Sequence, residues 1–275
     1  MTDAFDPRPA LDSLARTKKL LVCVDFDGTI CELHTDAYAV TPNPDAIAAL
    51  EDLSLMRDTT VAVLSGRHLD GLRIVCPLDA PVILVGSHGA EPTEGGPQLD
   101  GAQRAYLDRV SARLNEIVAG SAPAFVENKP YQRVLHVAKL AESDPARAQS
   151  LIDAALALSP DTLHGNAGSP GHNVVEFSVV DTTKGTWLGA EKQKHTATLF
   201  AGDDVTDETA LTVLDPAAGD VGIKIVRSAA RGTAADAATG DSATVDTAAQ
   251  FRLGGVAEMA DYLVTLAAAR RSALG

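Results

Sequence analysis

Short apolar runs alternate with stretches of helical periodicity along most of this chain, and the alternation is interrupted once. Leu20–Val24 is continuously apolar, as a strand buried on both faces must be. Pro44–Met56 carries Ile47, Leu50, Leu53 and Leu55 on one helical face. Val61–Leu64 predicts a second strand, His68–Val75 a short helix and Val82–Val85 a third strand, before a Gly/Pro-rich break over Pro92–Leu99. The βαβαβ order predicts a parallel sheet. It resumes with a helix opening at Lys184, strand Thr198–Ala201, helix Glu208–Leu214 and strand Val221–Val226. A last helix, Val256–Ala269, is expected to pack on the sheet rather than pair with a second chain.

Between Leu99 and Asp181 the pattern differs. Ala102–Val118 and Ala146–Leu158 have helical spacing, Ala124–Glu127, Arg133–Val137 and Val174–Val179 read as strands, and Thr162–His164 as a weaker one. The expected fold is therefore α/β, a Rossmann-like parallel sheet core with an inserted α+β (αββαββ) cap domain. The core takes residues 1–98 and 182–275, and the cap residues 99–181. Such a cap would close over a site and exclude water. Ala229–Ala249, rich in Ala, Thr, Asp and Gly, reads as a surface loop.

Composition narrows the partners. The chain has 275 residues, 45% hydrophobic but only 4% aromatic, so its core must be built mostly of Ala, Val and Leu. A net charge of −14 argues against nucleic acid or an anionic membrane. An anionic substrate would need cations supplied locally. Cys23, Cys31 and Cys76 are too few and too scattered for a disulfide framework, which fits a reducing cytoplasm. No run approaches the ~18 apolar residues of a membrane span, and the first apolar run, Leu20–Val24, is too short and too late for a signal peptide. A cytoplasmic protein, monomeric or weakly dimeric, is expected.

The candidate chemistry sits where the apolar runs end. Asp25-Phe26-Asp27-Gly28-Thr29 leaves the first strand, at the edge where open α/β sheets bind ligands. Adjacent strand side chains point to opposite faces, so Asp25 and Asp27 share a site only if the chain bends, as Gly28 permits. Alone, the segment also reads as a strand followed by an Asp-Gly turn. Three further groups change that: Ser65-Gly66-Arg67 after the second strand, Lys184-Gly185 at a helix start, and Gly202-Asp203-Asp204-Val205-Thr206-Asp207-Glu208 after a third. Asp25, Asp27, Asp203 and Asp207 together would repel unless a cation intervenes. With oxygen ligands only, and no His or Cys cluster for zinc, a hard divalent cation is the natural answer, and Mg²⁺, which binds through one or two carboxylates, waters and substrate phosphate, is the candidate. That points to phosphoryl chemistry. Lys184 and the Ser65 hydroxyl would hold phosphoryl oxygens. Asp25, first out of the strand, is the candidate nucleophile. Asp27 would protonate the leaving oxygen and then activate water.

In this order the motifs resemble the set carried by the haloacid dehalogenase superfamily of phosphatases. The resemblance implies Asp25 as nucleophile, Asp27 as general acid/base, Ser65 and Lys184 on the phosphate, and Gly66 and Arg67 beside the substrate. It places Mg²⁺ on Asp25, the Asp27 carbonyl and Asp203, with Asp207 orienting or bound through water. Asp204 also reads as an exposed loop acid, and Glu208 as a charge in a first helical turn.

Gly86-Ser87-His88-Gly89-Ala90-Glu91, Glu127-Asn128-Lys129, His136 and Glu176 resemble the trehalose-6-phosphate phosphatases, over about Leu20 to Leu266. By that likeness Glu127, Lys129, His136 and Glu176 bind sugar hydroxyls, while His88 is expected to be structural. The chain departs from the pattern at Ala138 and at Ser178-Val179, where the likeness expects Arg and Arg-Pro; Arg133 and His172 are the nearby cationic candidates to compensate. The implied function is Mg²⁺-dependent hydrolysis of a sugar phosphate monoester, trehalose 6-phosphate first. A related glycoside phosphate (a pseudo-disaccharide or glucosyl-polyol phosphate) is the alternative substrate, and a non-catalytic partner domain of a sugar-phosphate synthase the alternative role.

Overall fold

Leu20–Val24 is buried along its whole length because the strand is central in its sheet and covered on both sides. Leu20, Val22 and Val24 point into one cluster, Leu21 and Cys23 into another, the period-2 alternation of a strand. The computed structural model describes residues 5–34, 36, 38–93, 95–158, 163, 168–171, 173–226 and 246–275. The chain divides into two units, Met1–Gly95 with Thr182–Gly275, and Gly96–Asp181.

In chain order the strands are β1 (Leu20–Val24), β2 (Thr59–Leu64), β3 (Ile83–Gly86), β4 (Glu91–Pro92), β5 (Phe125–Asn128), β6 (Gln132–His136), β7 (Ser169–Gly171), β8 (Val174–Ser178), β9 (Ala197–Gly202), β10 (Val221–Ile225) and β11 (Phe251–Leu253). The first unit holds a seven-stranded sheet ordered β11-β10-β9-β1-β2-β3-β4. Every pairing is parallel except β3 with β4.

The helix Pro44–Ser54 begins where Asn43 accepts hydrogen bonds from the amides of Asp45 (2.9 Å) and Ala46 (3.2 Å), with Pro44 in its first turn. It buries Ala46, Ala49, Leu50 and Leu53 on one face of the sheet. The helix Val256–Leu274 adds Met259, Tyr262, Leu263 and Leu266 there, so it packs on the sheet. Its buried Arg270 donates to the carbonyls of Ala15, Thr17 and Asp58. Helices Lys184–Lys192 and Glu208–Thr212 cover the other face with Leu188, Ala210 and Leu211.

Three short elements were not expected. The helix Leu11–Arg16 and strand β11 are brief and carry too little periodicity to register. The expected break at Pro92 begins with β4, an antiparallel edge strand, one of the few strand positions that tolerates proline.

The second unit has helices Gly101–Val118, Ala138–Ser143 and Pro145–Leu156 and an antiparallel sheet ordered β5-β6-β8-β7. Ala138–Ser143 is a helix beyond the expected αββαββ order. Leu135, Val137, Val175 and Phe177 pack with Tyr106, Leu107, Val110, Leu114 and Leu151. By alternation, Phe125, Glu127, Val134, His136, Glu176 and Ser178 lie on the sheet's other face. Of the expected strand Thr162–His164 only Leu163 is described, and it is helical; the fourth strand of this sheet is instead β7, at positions not expected to form one. Residues 229–245 of the expected loop lie outside the described residues.

Candidate active site

β1, β2 and β9 are parallel neighbours in which Val24 aligns with Val63 and Ala201. The residues after them therefore leave the sheet at one edge. Asp25 is anchored there by its amide, which donates to the Ala201 carbonyl at 2.9 Å. Asp203 follows β9. Lys184 opens the helix Lys184–Lys192, whose start is set by Thr183 Oγ1 accepting from the Thr186 amide at 3.1 Å. Gly185 lets that helix approach its neighbour: a Cβ there would stand 2.1 Å from the Thr209 carbonyl oxygen.

These placements make a buried ion cluster. Lys184 Nζ donates to Asp25 Oδ1 and to Asp207 Oδ1, each at 2.6 Å, with side-chain exposures of 3% for Lys184, 6% for Asp25 and 0% for Asp207. Thr29 Oγ1 donates to Asp25 Oδ2 at 3.4 Å. Burial drives the Asp25 carboxyl up from its usual range to about 8; Lys184 opposes that, while Asp207 and Asp203 add to it. The two carboxylates hold Lys184 well above the ordinary lysine range despite its burial.

Lys184 thus serves Asp25 and Asp207, and oxygens of Asp25, Asp203 and Asp207 come within 4.8 Å of one another. The donors are all oxygens, which fits a hard divalent cation and suits neither zinc nor a soft metal. Gly28, at φ +79°, is what allows the close approach: a Cβ there would stand 2.1 Å from Asp203 Oδ2.

Asp27 is not part of this cluster of side chains. The bend that Gly28 makes turns it toward Arg67, which forks it with Nε–Oδ2 at 2.7 Å and Nη2–Oδ1 at 2.6 Å. Two parallel charge-assisted bonds fix both position and orientation, and they hold the Arg67 guanidinium above its usual range. Ser65 is fully buried, and its Oγ accepts from the Arg67 amide at 3.1 Å. Gly66 lies under the His88 ring. His88 sits at φ 54° and its amide donates to the Ser65 carbonyl at 2.9 Å. Glu91 accepts from Ser87 Oγ and from the Leu69 amide, tying that segment to the one after Arg67.

The acidic loop after β9 has its own supports. Asp204 Oδ1 accepts from the Val205 amide at 2.6 Å, and its own amide donates to Asp207 Oδ2 at 2.9 Å. Glu208 does more than sit in a first helical turn. It accepts from Lys224 Nζ (2.8 Å), Thr247 Oγ1 and the Ala248 amide, which lower its pKa against the opposing effect of burial. Lys224 Nζ also donates to the Asp204 carbonyl at 2.9 Å. Sequence reasoning passed over Lys224. The available signal was a lone cation inside the apolar strand Val221-Gly222-Ile223-Lys224-Ile225, a residue seldom buried unless paired.

In the second unit, His136 Nε2 and Glu127 Oε2 are hydrogen-bonded at 2.8 Å, with Lys129 Nζ 4.0 Å from the same oxygen. The Phe125 ring stacks on His136 at 4.7 Å. Glu176 and Glu127 flank Val134 from either side in register. Four of the expected sugar-binding residues, Glu127, Lys129, His136 and Glu176, are thus gathered around one sheet face.

The sequence profile of the trehalose-phosphatase family matches residues 23–246. The chain belongs to the trehalose-phosphatase family. It is 29% identical to the trehalose-phosphate phosphatase of Mycobacterium ulcerans over 227 residues, covering 75% of this chain and 56% of that protein. It is 30% identical to a probable trehalose-phosphate phosphatase of Sinorhizobium fredii over 192 residues, covering 67% of this chain and 70% of the relative. This chain thus spans little more than half the length of its mycobacterial relatives. The fold matches the C-terminal domain of Candida albicans trehalose-6-phosphate phosphatase (TM-score 0.72, 18% identity, 98% of each chain). It also matches the Aspergillus fumigatus trehalose-6-phosphate phosphatase (TM-score 0.63, 20% identity, 99% of this chain and 100% of that one). Among the described residues, no helix is long and apolar enough to cross a membrane.

Within this family the departures in the second unit take a definite form. Ala138 opens a helix. Ser178 Oγ donates to the Val180 carbonyl at 2.8 Å and accepts from its amide at 3.2 Å. Arg133 does not stand in for either missing arginine, because its Nη1 donates to the carbonyls of Lys129 and Gln132, each at 2.7 Å, and so braces the β5–β6 turn. His172 lies outside the described residues.

Proposed function

We propose that this chain is a Mg²⁺-dependent phosphatase that hydrolyses trehalose 6-phosphate to trehalose and phosphate. The observation that carries the reading is the buried Asp25–Lys184–Asp207 cluster with Asp203 beside it. Such a site is built for a cation and an anion together. Asp25, Asp203 and the Asp27 carbonyl would hold Mg²⁺, with Asp207 orienting Lys184. When bound, the ion neutralises the crowded carboxylates and the phosphoryl oxygens.

Asp25 Oδ attacks phosphorus, and the bond from phosphorus to the sugar oxygen breaks. Asp27 gives its proton to that leaving oxygen. Lys184 and Ser65 hold the phosphoryl group in line. Asp27 then takes a proton from water, which attacks the aspartyl-phosphate, and the Asp25–phosphorus bond breaks to release inorganic phosphate. The Arg67 fork occupies both Asp27 oxygens in this structure, so one of its two bonds gives way when Asp27 carries the proton, and the other keeps its position. Residues 99–181 serve as the cap, with Glu127, Lys129, His136 and Glu176 meeting the sugar. Buried hydroxyl recognition needs fixed polar partners of this kind.

A second reading has one observation in its favour: the C-terminal domain of a Candida albicans trehalose synthase regulatory protein has the same fold (TM-score 0.67, 15% identity). A regulatory module has no use for a buried, charge-crowded cluster, so the catalytic reading is preferred.

The test is phosphate release from trehalose 6-phosphate, sucrose 6-phosphate, glucose 6-phosphate and glucosyl-glycerol phosphate, with Mg²⁺ and with EDTA, by wild type and Asp25→Asn. Metal-dependent release from trehalose 6-phosphate that Asp25→Asn abolishes supports the reading. Release from another sugar phosphate moves the substrate. A folded wild type inactive on all of them favours the regulatory module.

A further inference from the structure

Gln132 opens β6 and pairs in register with Ser178 of β8. Alternation along the strand puts its side chain on the face that carries Phe125, Glu127, His136 and Glu176. The residue is only 7% exposed, yet its Oε1 has no hydrogen-bond partner among the described residues. Its main chain is fully engaged with Lys129, accepting at 3.0 Å and donating at 3.4 Å, so the deficit lies in the side chain alone. A buried amide oxygen without a partner opposes folding, and few native groups are left so. An apolar side chain of the same length would remove that penalty. Retaining a carboxamide here therefore fits a partner that is not among the described residues.

Among the described residues, nothing on the same row answers Gln132. The Ser178 hydroxyl is engaged on both sides with Val180. Position 178 is also where the likeness to trehalose-6-phosphate phosphatases expects an arginine, and this chain has none there. A guanidinium only donates hydrogen bonds, whereas a carboxamide both donates and accepts. A sugar hydroxyl does both as well, and it can give its proton to Oε1.

We propose that Gln132 is a specificity-determining residue of the sugar-binding face, accepting a hydrogen bond from a hydroxyl of the sugar phosphate. The inference rests on the phosphatase reading above and deepens it. At this row the chain reads a neutral hydroxyl with a neutral group. The substrate class is accordingly one with a hydroxyl available to donate at that point of the sugar, and a deoxy or methylated analogue is discriminated against.

The test compares wild type, Gln132→Ala and Gln132→Met on two substrates: p-nitrophenyl phosphate, which has no sugar, and whichever sugar phosphate of the panel wild type hydrolyses fastest. Thermal unfolding is measured on each protein. The expected result is a rise in KM for the sugar phosphate, with kcat/KM for it falling about tenfold more than kcat/KM for p-nitrophenyl phosphate. Gln132→Met is expected to melt no lower than wild type, since it removes an unpaired buried oxygen. Equal losses on the two substrates, or an unchanged KM in Gln132→Met, overturn the inference. A wild type inactive even on p-nitrophenyl phosphate overturns the phosphatase reading itself, and the inference with it.

Discussion

Replacing Lys184 with methionine keeps the length of the side chain and removes its charge. Lys184 touches Asp25 and Asp207 at 2.6 Å each, and its side chain is 3% exposed. At an effective dielectric of about 20, a contact at that distance is worth about 6 kcal/mol of Coulomb attraction before desolvation. Most of that gain offsets removing the ammonium from water. Deleting one partner still leaves its counter-charges buried, which costs about 3–5 kcal/mol. The metal-free variant is therefore expected to lose about that much stability in urea unfolding above pH 8, where Asp25 of the wild type is ionised.

The sign with pH follows from the carboxyls. In metal-free wild type, Asp25 is already raised from its usual 3.8 to about 8. The folded state then holds a proton that the unfolded state releases, so this group's contribution declines as pH rises through that window and is level above it. Without Lys184 the folded pKa rises further. The deficit of Lys184→Met should therefore be small in acid and grow toward alkaline pH. Mg²⁺ should restore part of it, because on the proposed reading the ion binds only the folded site. A Lys184→Met protein that unfolds with wild type at pH 8 in EDTA would refute the argument.

The same geometry leads to three other expectations. Gly28→Ala puts a Cβ 2.1 Å from Asp203 Oδ2 at a backbone φ of +79°, so calorimetric Mg²⁺ binding should be lost or severely weakened while the rest of the fold remains. Lys224→Met removes the ammonium bonded to the Asp204 carbonyl and to Glu208; Mg²⁺ affinity by calorimetry should fall about 10–100-fold, with most of kcat recovered at saturating metal. Arg67→Lys keeps the charge beside Asp27 but not the bidentate fork; misplacing the proposed acid/base Asp27 should lower single-turnover rates by as much as about 100-fold.

The order of elements was legible because the buried strands are short apolar runs ending in polar residues. Leu20–Val24 ends at Asp25 and the run over Val61–Leu64 ends at Ser65, as both do in the structure. The convergence of Asp25, Lys184, Asp203 and Asp207 followed from a rule about parallel sheets: ligands gather where strands exit. What escaped was set by contacts between distant residues. The Arg67–Asp27 fork joins positions 40 apart in sequence, and no local spacing announces it. Lys224 and Glu208 read as unremarkable until the sheet places β10 beside the acidic loop. Strands β4 and β11 are too short for periodicity to speak. The role of Gln132 depends on register, since one residue of slip would send its side chain to the opposite face.

The central claim is that Asp25 becomes phosphorylated, and one measurement reaches it directly. Wild-type protein turning over its sugar phosphate with Mg²⁺ is quenched in acid, digested, and the peptide spanning Asp25 is weighed by mass spectrometry. The account predicts one phosphoryl group on that peptide, removed by mild alkali, and none in Asp25→Asn, which also releases no phosphate. Phosphate release by Asp25→Asn at the wild-type rate, or label on a different residue, would contradict it.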